Sequence, residues 1–261
     1  SALLVSKSLP KNVGTVIVKH GNPCGVSINK SDLKSYKLAL ACDPISAFGG
    51  IVSCNFKIKK KLASELKKIF LEVVVCNGIE NSALKILKSK KNLRIIDASN
   101  LNNYNLNNIH SLFGTFLLQT PDIFSFSKSN FKVVSKKKPS FQTLKNLIFT
   151  FNICKYIKSN AIVITNKGST IGIGSGQTSR VDSCEIAIKK MNKFYKEKYD
   201  DELIAASDAF FPFVDGFEKL VQAGISAVIQ PSGSIKDKEI IKFANQAGIT
   251  LVFSKTRHFK H

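Results

Sequence analysis

Short apolar runs rich in β-branched residues recur along this chain, each about a strand long, and stretches with helical spacing separate them. Val13–Lys19, Gly50–Cys54, Glu72–Cys76 and Leu93–Ile96 read as strands in the first half. Ala161–Thr165, Thr170–Gly174, Leu203–Ala206, Ala227–Ile229 and Leu251–Phe253 read as strands in the second. Between them, Ser31–Cys42 (capped by Ser31), Lys57–Phe70, Ser82–Lys88, Thr143–Ile157, Asp182–Tyr199, Gly216–Ala223 and Asp237–Ala247 carry helical patterns. Strands that are apolar on both faces need helices on both faces. The alternation therefore predicts an α/β fold in two lobes, each a mixed sheet packed between helices.

The Asn-rich stretch at 100–108 reads as a loop, and Phe124–Pro139 is irregular and basic. The lobe boundary is expected there, with one lobe over 1–138 and the other over 139–261. No apolar run reaches the ~20 residues of a membrane span, so no membrane partner is expected. The opening Ser-Ala-Leu-Leu-Val-Ser-Lys soon meets Pro10 and reads as no secretory signal. Six cysteines stand far apart with no C-x-x-C pair, which argues against a zinc ribbon and for buried thiols in a reducing, cytoplasmic compartment.

The formal net charge is +21. That excess invites a nucleic-acid partner, yet the lysines are scattered and no aromatic-interleaved basic stripe is present. Residues that A/T-rich codons can write are abundant, so genome bias accounts for the charge and no specific nucleic-acid contact is expected. Arginine is scarce: Arg94, Arg180 and Arg257 are the three in the chain. Its planar fork grips oxygens at two points, as Lys cannot. Arg180 and Arg257 fall in polar motifs, so geometry is expected to matter there; Arg94 reads as a surface charge.

Six segments are built for chemistry. Lys19-His-Gly-Asn-Pro-Cys-Gly25 follows a strand directly, where α/β proteins set reactive groups. A cation beside an imidazole favours its neutral form, which a general base needs. An ordinary turn with a surface His is the competing reading. Asp43-Pro-Ile-Ser-Ala-Phe-Gly-Gly50 suits a flat ligand or a helix stop. Gly172-Ile-Gly-Ser-Gly-Gln-Thr-Ser-Arg180 feeds a helix but matches neither phosphate-loop spacing. Ala206-Ser-Asp-Ala-Phe-Phe-Pro-Phe-Val-Asp-Gly216 offers rings and carboxylate acceptors, Asp208 and Asp215. Gln230-Pro-Ser-Gly-Ser-Ile235 opens on a helix N-terminus, and the tail Arg257-His-Phe-Lys-His261 matters only if it tucks into a site.

In this order these blocks, with Lys155-Tyr-Ile-Lys-Ser-Asn160, resemble the AICAR transformylase domain of the bifunctional purine biosynthesis proteins. The resemblance covers essentially the whole chain. It implies a cytidine-deaminase-like fold in both lobes. It also implies formyl transfer from the cosubstrate 10-formyltetrahydrofolate to AICAR, and a homodimer with active sites at the interface. No catalytic metal is implied, because the deaminase signature H-x-E…P-C-x-x-C is missing; Pro23-Cys24 lacks its second Cys. His20 would take the proton of the attacking amine, and Lys19 would stabilise the transition state. Asn160 would orient the carboxamide and contact the nucleotide. Gly49, Glu72 (an acidic position that Asp can also fill), Arg180, Phe210 and Arg257 match nucleotide-contact positions. Val181, Asp215, Ser234 and Ile235 match folate-contact positions, and Phe48 and Phe259 line the same pocket.

The family carries an upstream Arg-Tyr-Gly…Asn-Pro-His-Gln segment that helps to hold the nucleotide phosphate, and an IMP cyclohydrolase domain. Neither pattern is found in these residues, so cyclohydrolase activity is expected only of a longer parent protein. Two other readings stand beside active transfer: a folded but inactive remnant of the transformylase, and a basic nucleic-acid-binding module.

Overall fold

The computed structural model describes residues 1–101, 107–122, 124, 127, 130–195 and 202–261. In chain order the elements are α1 (Ala2–Ser8), β1 (Gly14–Lys19), β2 (Asn22–Ile28), α2 (Asp32–Cys42), β3 (Gly50–Cys54), α3 (Lys60–Leu66), β4 (Leu71–Cys76), α4 (Asn81–Lys88) and β5 (Arg94–Asp97). The hairpin β6 (Asn108–Leu112) and β7 (Thr115–Gln119) and the short β8 (Phe131–Val133) follow. The remainder is α5 (Phe141–Cys154), β9 (Ile162–Asn166), β10 (Ser169–Gly174), α6 (Arg180–Phe194), β11 (Leu203–Ser207), α7 (Val214–Gln222), β12 (Ile225–Pro231), α8 (Asp237–Gln246) and β13 (Thr250–Ser254).

One mixed sheet of eleven strands runs through the molecule in the order β5-β4-β3-β1-β2-β10-β9-β11-β12-β13-β8. Its two halves repeat one plan. β1 pairs antiparallel with both β2 and β3, and β4 and β5 continue parallel to β3. Likewise β9 pairs antiparallel with β10 and β11, and β12 and β13 continue parallel to β11. The two strand runs join edge to edge where β2 meets β10 antiparallel at Ser27 and Ser169, whose hydroxyls lie 2.7 Å apart. β8 precedes the boundary expected near residue 138 but pairs with β13, so this linking stretch attaches to the second half.

Side chains alternate across the sheet as a two-residue period requires. Ile17 joins a core with α2, α3 and α4 on one face of the first half, while Val16 and Val18 point the other way. Ile162 and Ile164 meet α6, α7 and α8, while Val163 meets α5. The core beneath α1 and α5 spans both halves. Two glycines let a helix lie close on the central strands. A Cβ on Gly25 would stand 1.9 Å from the Ala39 carbonyl oxygen of α2, and one on Gly174 would stand 1.9 Å from that of Ser183 in α6.

Capping follows the side-chain chemistry expected of helix starts. Ser31 Oγ accepts from Lys34 N–H at 3.3 Å, and Ser140 Oγ accepts from Thr143 N–H at 3.0 Å. Three expectations change. Of Lys19–Gly25, read from its Gly, Asn and Pro as a turn, Asn22 onward belongs to the central strand β2. Pro23 sits beside a register shift in the β1 pairing, and β2 meets β10 at Ser27, so its missing N–H costs no ladder bond there. The helix expected over 57–70 is confined to Lys60–Leu66, because Ile58 bridges to Ile79 in strand-like fashion. The helix expected to reach Tyr199 is described to Phe194, and 196–201 lie outside the described residues, as does most of the loop expected at 100–108.

Candidate active site

The β1–β2 hairpin turns through His20 and Gly21, both at positive φ (49° and 79°), as two-residue hairpin turns require. Few non-glycine residues adopt that region. Here it sets an exposed His20 at the tip of the hairpin. Lys19 is half-buried, and its Nζ donates to the Gly49 carbonyl at 2.8 Å. Gly49, at φ 66°, donates its N–H to the Phe70 carbonyl at 2.8 Å. The loop before β3 is thereby fixed against the start of β4, where Glu72 lies exposed. Phe48 is 63% exposed, with its ring 5.3 Å from that of Phe70. Burial, followed by the charge of Asp43, pushes the Cys24 thiol up to about 12. Cys24 is therefore no nucleophile, despite its place beside this turn.

In the second half Arg180 opens α6, buried, with its fork turned inward. Nη1 donates to Ser207 Oγ at 2.7 Å and to Asp208 Oδ1 at 2.5 Å, and Nη2 donates to Asn160 Oδ1 at 2.7 Å. Asp208 is 1% exposed, and its other oxygen accepts from Ser159 Oγ at 2.5 Å. Asn160 Nδ2 donates to the carbonyls of Gln177 (3.0 Å) and Thr178 (3.1 Å). Both amide protons of Asn160 are thus engaged, and Oδ1, which already accepts from Arg180, keeps one further lone pair. Val181 and Phe210 are half-buried, and Asp215 is exposed with Oδ1 accepting from Gly216 N–H at 2.7 Å. Ser234 Oγ accepts from Lys236 N–H at 3.1 Å, and Ile235 is 98% exposed.

The tail folds back over this end. His258 is buried against Phe151, its Nδ1 2.6 Å from Asp122 Oδ2, and its N–H donates to the Asp208 carbonyl at 2.9 Å. Lys260 Nζ donates to the carbonyls of Tyr156 (2.7 Å) and Gly21 (3.3 Å), and Lys260 O accepts from Ser159 N–H at 2.9 Å. Arg257 is exposed, with its guanidinium 4.8 Å from the centre of the Phe259 ring.

Strand directions gather every one of these residues at one end of the sheet. Lys19 and His20 end β1, Phe48 and Gly49 precede β3, and Glu72 begins β4. Asn160 precedes β9, and the other candidates follow the carboxyl ends of β10, β11, β12 and β13. For β11, β12 and β13 this is the carboxyl end, beyond which parallel strands of α/β sheets place ligands; β3 and β4 present their amino ends here. A cleft of about 360 Å³ lined by Ser6, Lys7, Asn12, Asn55 and Asn77 lies at the opposite end and contains none of them.

The family model described as "AICARFT/IMPCHase bienzyme" matches residues 1–190. The chain belongs to the AICARFT/IMPCHase family. It is 42% identical over 262 residues to the bifunctional purine biosynthesis protein PurH of Leptospira biflexa, covering 100% of this chain and 50% of the relative. The PurH proteins of Rhodospirillum rubrum and Prochlorococcus marinus are 43% and 45% identical, over 94% and 95% of this chain and 48% of each relative. The chain thus spans about half the length of the curated relatives it matches.

Within this AICARFT/IMPCHase chain, Lys19 and Gly49 touch one another, as do Asn160 and Arg180. Glu72, Val181, Asp215, Ser234 and Ile235 share the sheet end. Three residues that hold the site together carry no individual signal in the sequence: Ser159, His258 and Lys260; Asp208, expected with Asp215 as an acceptor toward a ligand, instead accepts from Arg180 and Ser159. Their motifs were visible, but their roles were not. Asp122, the partner of His258, gave no signal, because it comes from a segment without periodicity.

Proposed function

We propose that this chain transfers a formyl group from 10-formyltetrahydrofolate to the amine of AICAR. The observation that carries the reading is a convergence. The Lys19–His20 turn of the first half and the Asn160 loop of the second face one sheet end and are bonded together, Asn22 Oδ1 accepting from Lys158 N–H at 3.1 Å. His20, on an exposed tip, removes the proton from the amine as its nitrogen attacks the formyl carbon. The bond to the folate nitrogen then breaks, and that nitrogen takes up a proton. Lys19, anchored on Gly49, stabilises the charge that develops on the formyl oxygen. Asn160 presents Oδ1 to the carboxamide N–H of the nucleotide. Phe48, Phe210 and Phe259 supply ring faces, Gly49, Glu72, Arg180 and Arg257 contact the nucleotide, and Val181, Asp215, Ser234 and Ile235 contact the folate.

The site is open to solvent on one side, where Phe48, Phe213, Ile235 and Phe259 are 45–98% exposed. A second copy of the chain closes that side, in keeping with a homodimer whose active sites lie at the interface. The decisive experiment supplies AICAR and 10-formyltetrahydrofolate to the wild-type protein and to His20→Ala. Formyl-AICAR is expected from the first and a loss of about 10²–10⁴-fold from the second. An equal rate in the two would refute the assignment of His20.

The inward fork of Arg180 favours one second reading, a remnant that folds but binds nucleotide poorly. Calorimetric titration of AICAR distinguishes the two, since micromolar binding contradicts a remnant.

A further inference from the structure

The tail bond to the His20 turn has a role that the proposed reaction does not by itself assign. We propose that Lys260 is a positioning residue, tying the catalytic hairpin turn of the first half to the Asn160 loop of the second. Its ammonium reaches two carbonyls at once, Tyr156 at 2.7 Å and Gly21 at 3.3 Å. Gly21 is the residue next to His20, and Tyr156 lies at the start of the stretch that leads from α5 into Asn160. The main chain of Lys260 contributes too, its carbonyl accepting from Ser159 N–H at 2.9 Å. A third link lies alongside, from Lys158 N–H to Asn22 Oδ1 at 3.1 Å. Turn, loop and tail therefore meet through four hydrogen bonds, two of them made by the ammonium of one side chain.

The tie matters because of how the halves otherwise meet. β2 and β10 pair near Ser27 and Ser169, toward the far end of β2 from His20. Nothing in that pairing fixes the hairpin tip against Asn160, and a hairpin tip alone is a mobile place. The tail is itself firmly seated: His258 is 1% exposed between Phe151 and Asp122, and its N–H donates to the Asp208 carbonyl. Lys260 thus reaches the turn from a fixed base. The ammonium is also held at a cost. Burial, and next the charge of Lys158, push it below its usual value. A lysine kept charged in such surroundings offsets that cost through the carbonyls it holds.

The catalytic consequence rests on the formyl-transfer reading; the structural tie does not. Lys260→Met keeps the stem and removes the charge, while Lys260→Arg keeps a cationic donor. The full chain is used for both, with two readouts. In steady-state kinetics, Lys260→Met should lower kcat about 10–100-fold with the KM for AICAR nearly unchanged, as expected when reacting groups are misplaced rather than binding lost. Lys260→Arg should restore most of kcat. In amide hydrogen exchange, Lys158 and Ser159 should lose protection in Lys260→Met and retain it in Lys260→Arg. Lys260→Gln serves in the same comparison if Lys260→Met does not fold. Unchanged exchange in the neutral variant would overturn the tie. Faster exchange with an unaltered kcat, or an arginine variant as slow as the methionine one, would overturn the positioning role. If the wild-type chain shows no formyl transfer, the proposed reaction fails, and the exchange comparison alone decides the tie.

Discussion

At the scale of single residues, the arrangement turns on one buried carboxylate. Asp208 receives Arg180 on one oxygen and Ser159 on the other, while its main chain binds Ala161 and His258. Arg180 and Asp208 have side chains 8% and 1% exposed, so each is the other's principal compensation for leaving water. Lys could not replace Arg180, since one ammonium cannot span Ser207, Asp208 and Asn160 in the plane of a fork. Asp208→Asn should leave the guanidinium buried without its counter-charge, at a cost of about 3–5 kcal/mol in urea-denaturation stability. An unchanged midpoint and slope would show that the pair is not the anchor described. The scarcity of arginine marked position 180 in the sequence, but not what it grips. Its partners lie 20 to 28 residues away, at and just past the end of β11 and before β9, and only the fold brings them together.

At the scale of elements, the central strands depend on glycine at the helix crossings. An alanine at Gly25 would drive its methyl into the Ala39 carbonyl of α2, with main chain on both sides unable to swing aside. Gly25→Ala should therefore cost about 1–3 kcal/mol or more through overpacking, read as a lower thermal midpoint. A midpoint equal to wild type would mean that α2 shifts freely on β2. The same residue explains what the sequence hid. Most other strands and helices were legible because β-branched runs and cap residues such as Ser31 signal them locally. β2 was not, because Pro23 and Gly25 look like turn residues, and their acceptance depends on a register shift and a helix packed from elsewhere. α1 and the β6–β7 hairpin were also missed. The hairpin carries Ile109, Phe113, Phe116, Leu117 and Leu118 at 52–106% exposure among the described residues, and exposed side chains show no burial period to detect.

For the whole molecule, the question is what holds two repeated halves in one frame. β2 meets β10 at the seam, the core under α1 and α5 crosses it, and Asp43 at the end of α2 pairs with Lys190 of α6 at 2.8 Å. The site could be read from the order of its motifs, but its unity could not, because the residues of each half converge only once the halves join. Asp43 supplies a pH-dependent part of that joining. Burial raises its carboxyl, but the hydrogen bonds from Lys190 and Ser46 outweigh burial and hold it below its usual 3.8. A depressed folded value means that the stabilisation is complete above the unfolded value and is lost as the pH falls through the folded one. Acid should therefore weaken the union of the halves from about pH 4 downward. Asp43→Asn should be less stable than wild type at neutral pH, and the gap should close on acidification. Denaturation midpoints measured from pH 7 to pH 3 decide it: a gap that stays constant, or widens in acid, would show that the Asp43 charge does not bind the halves together.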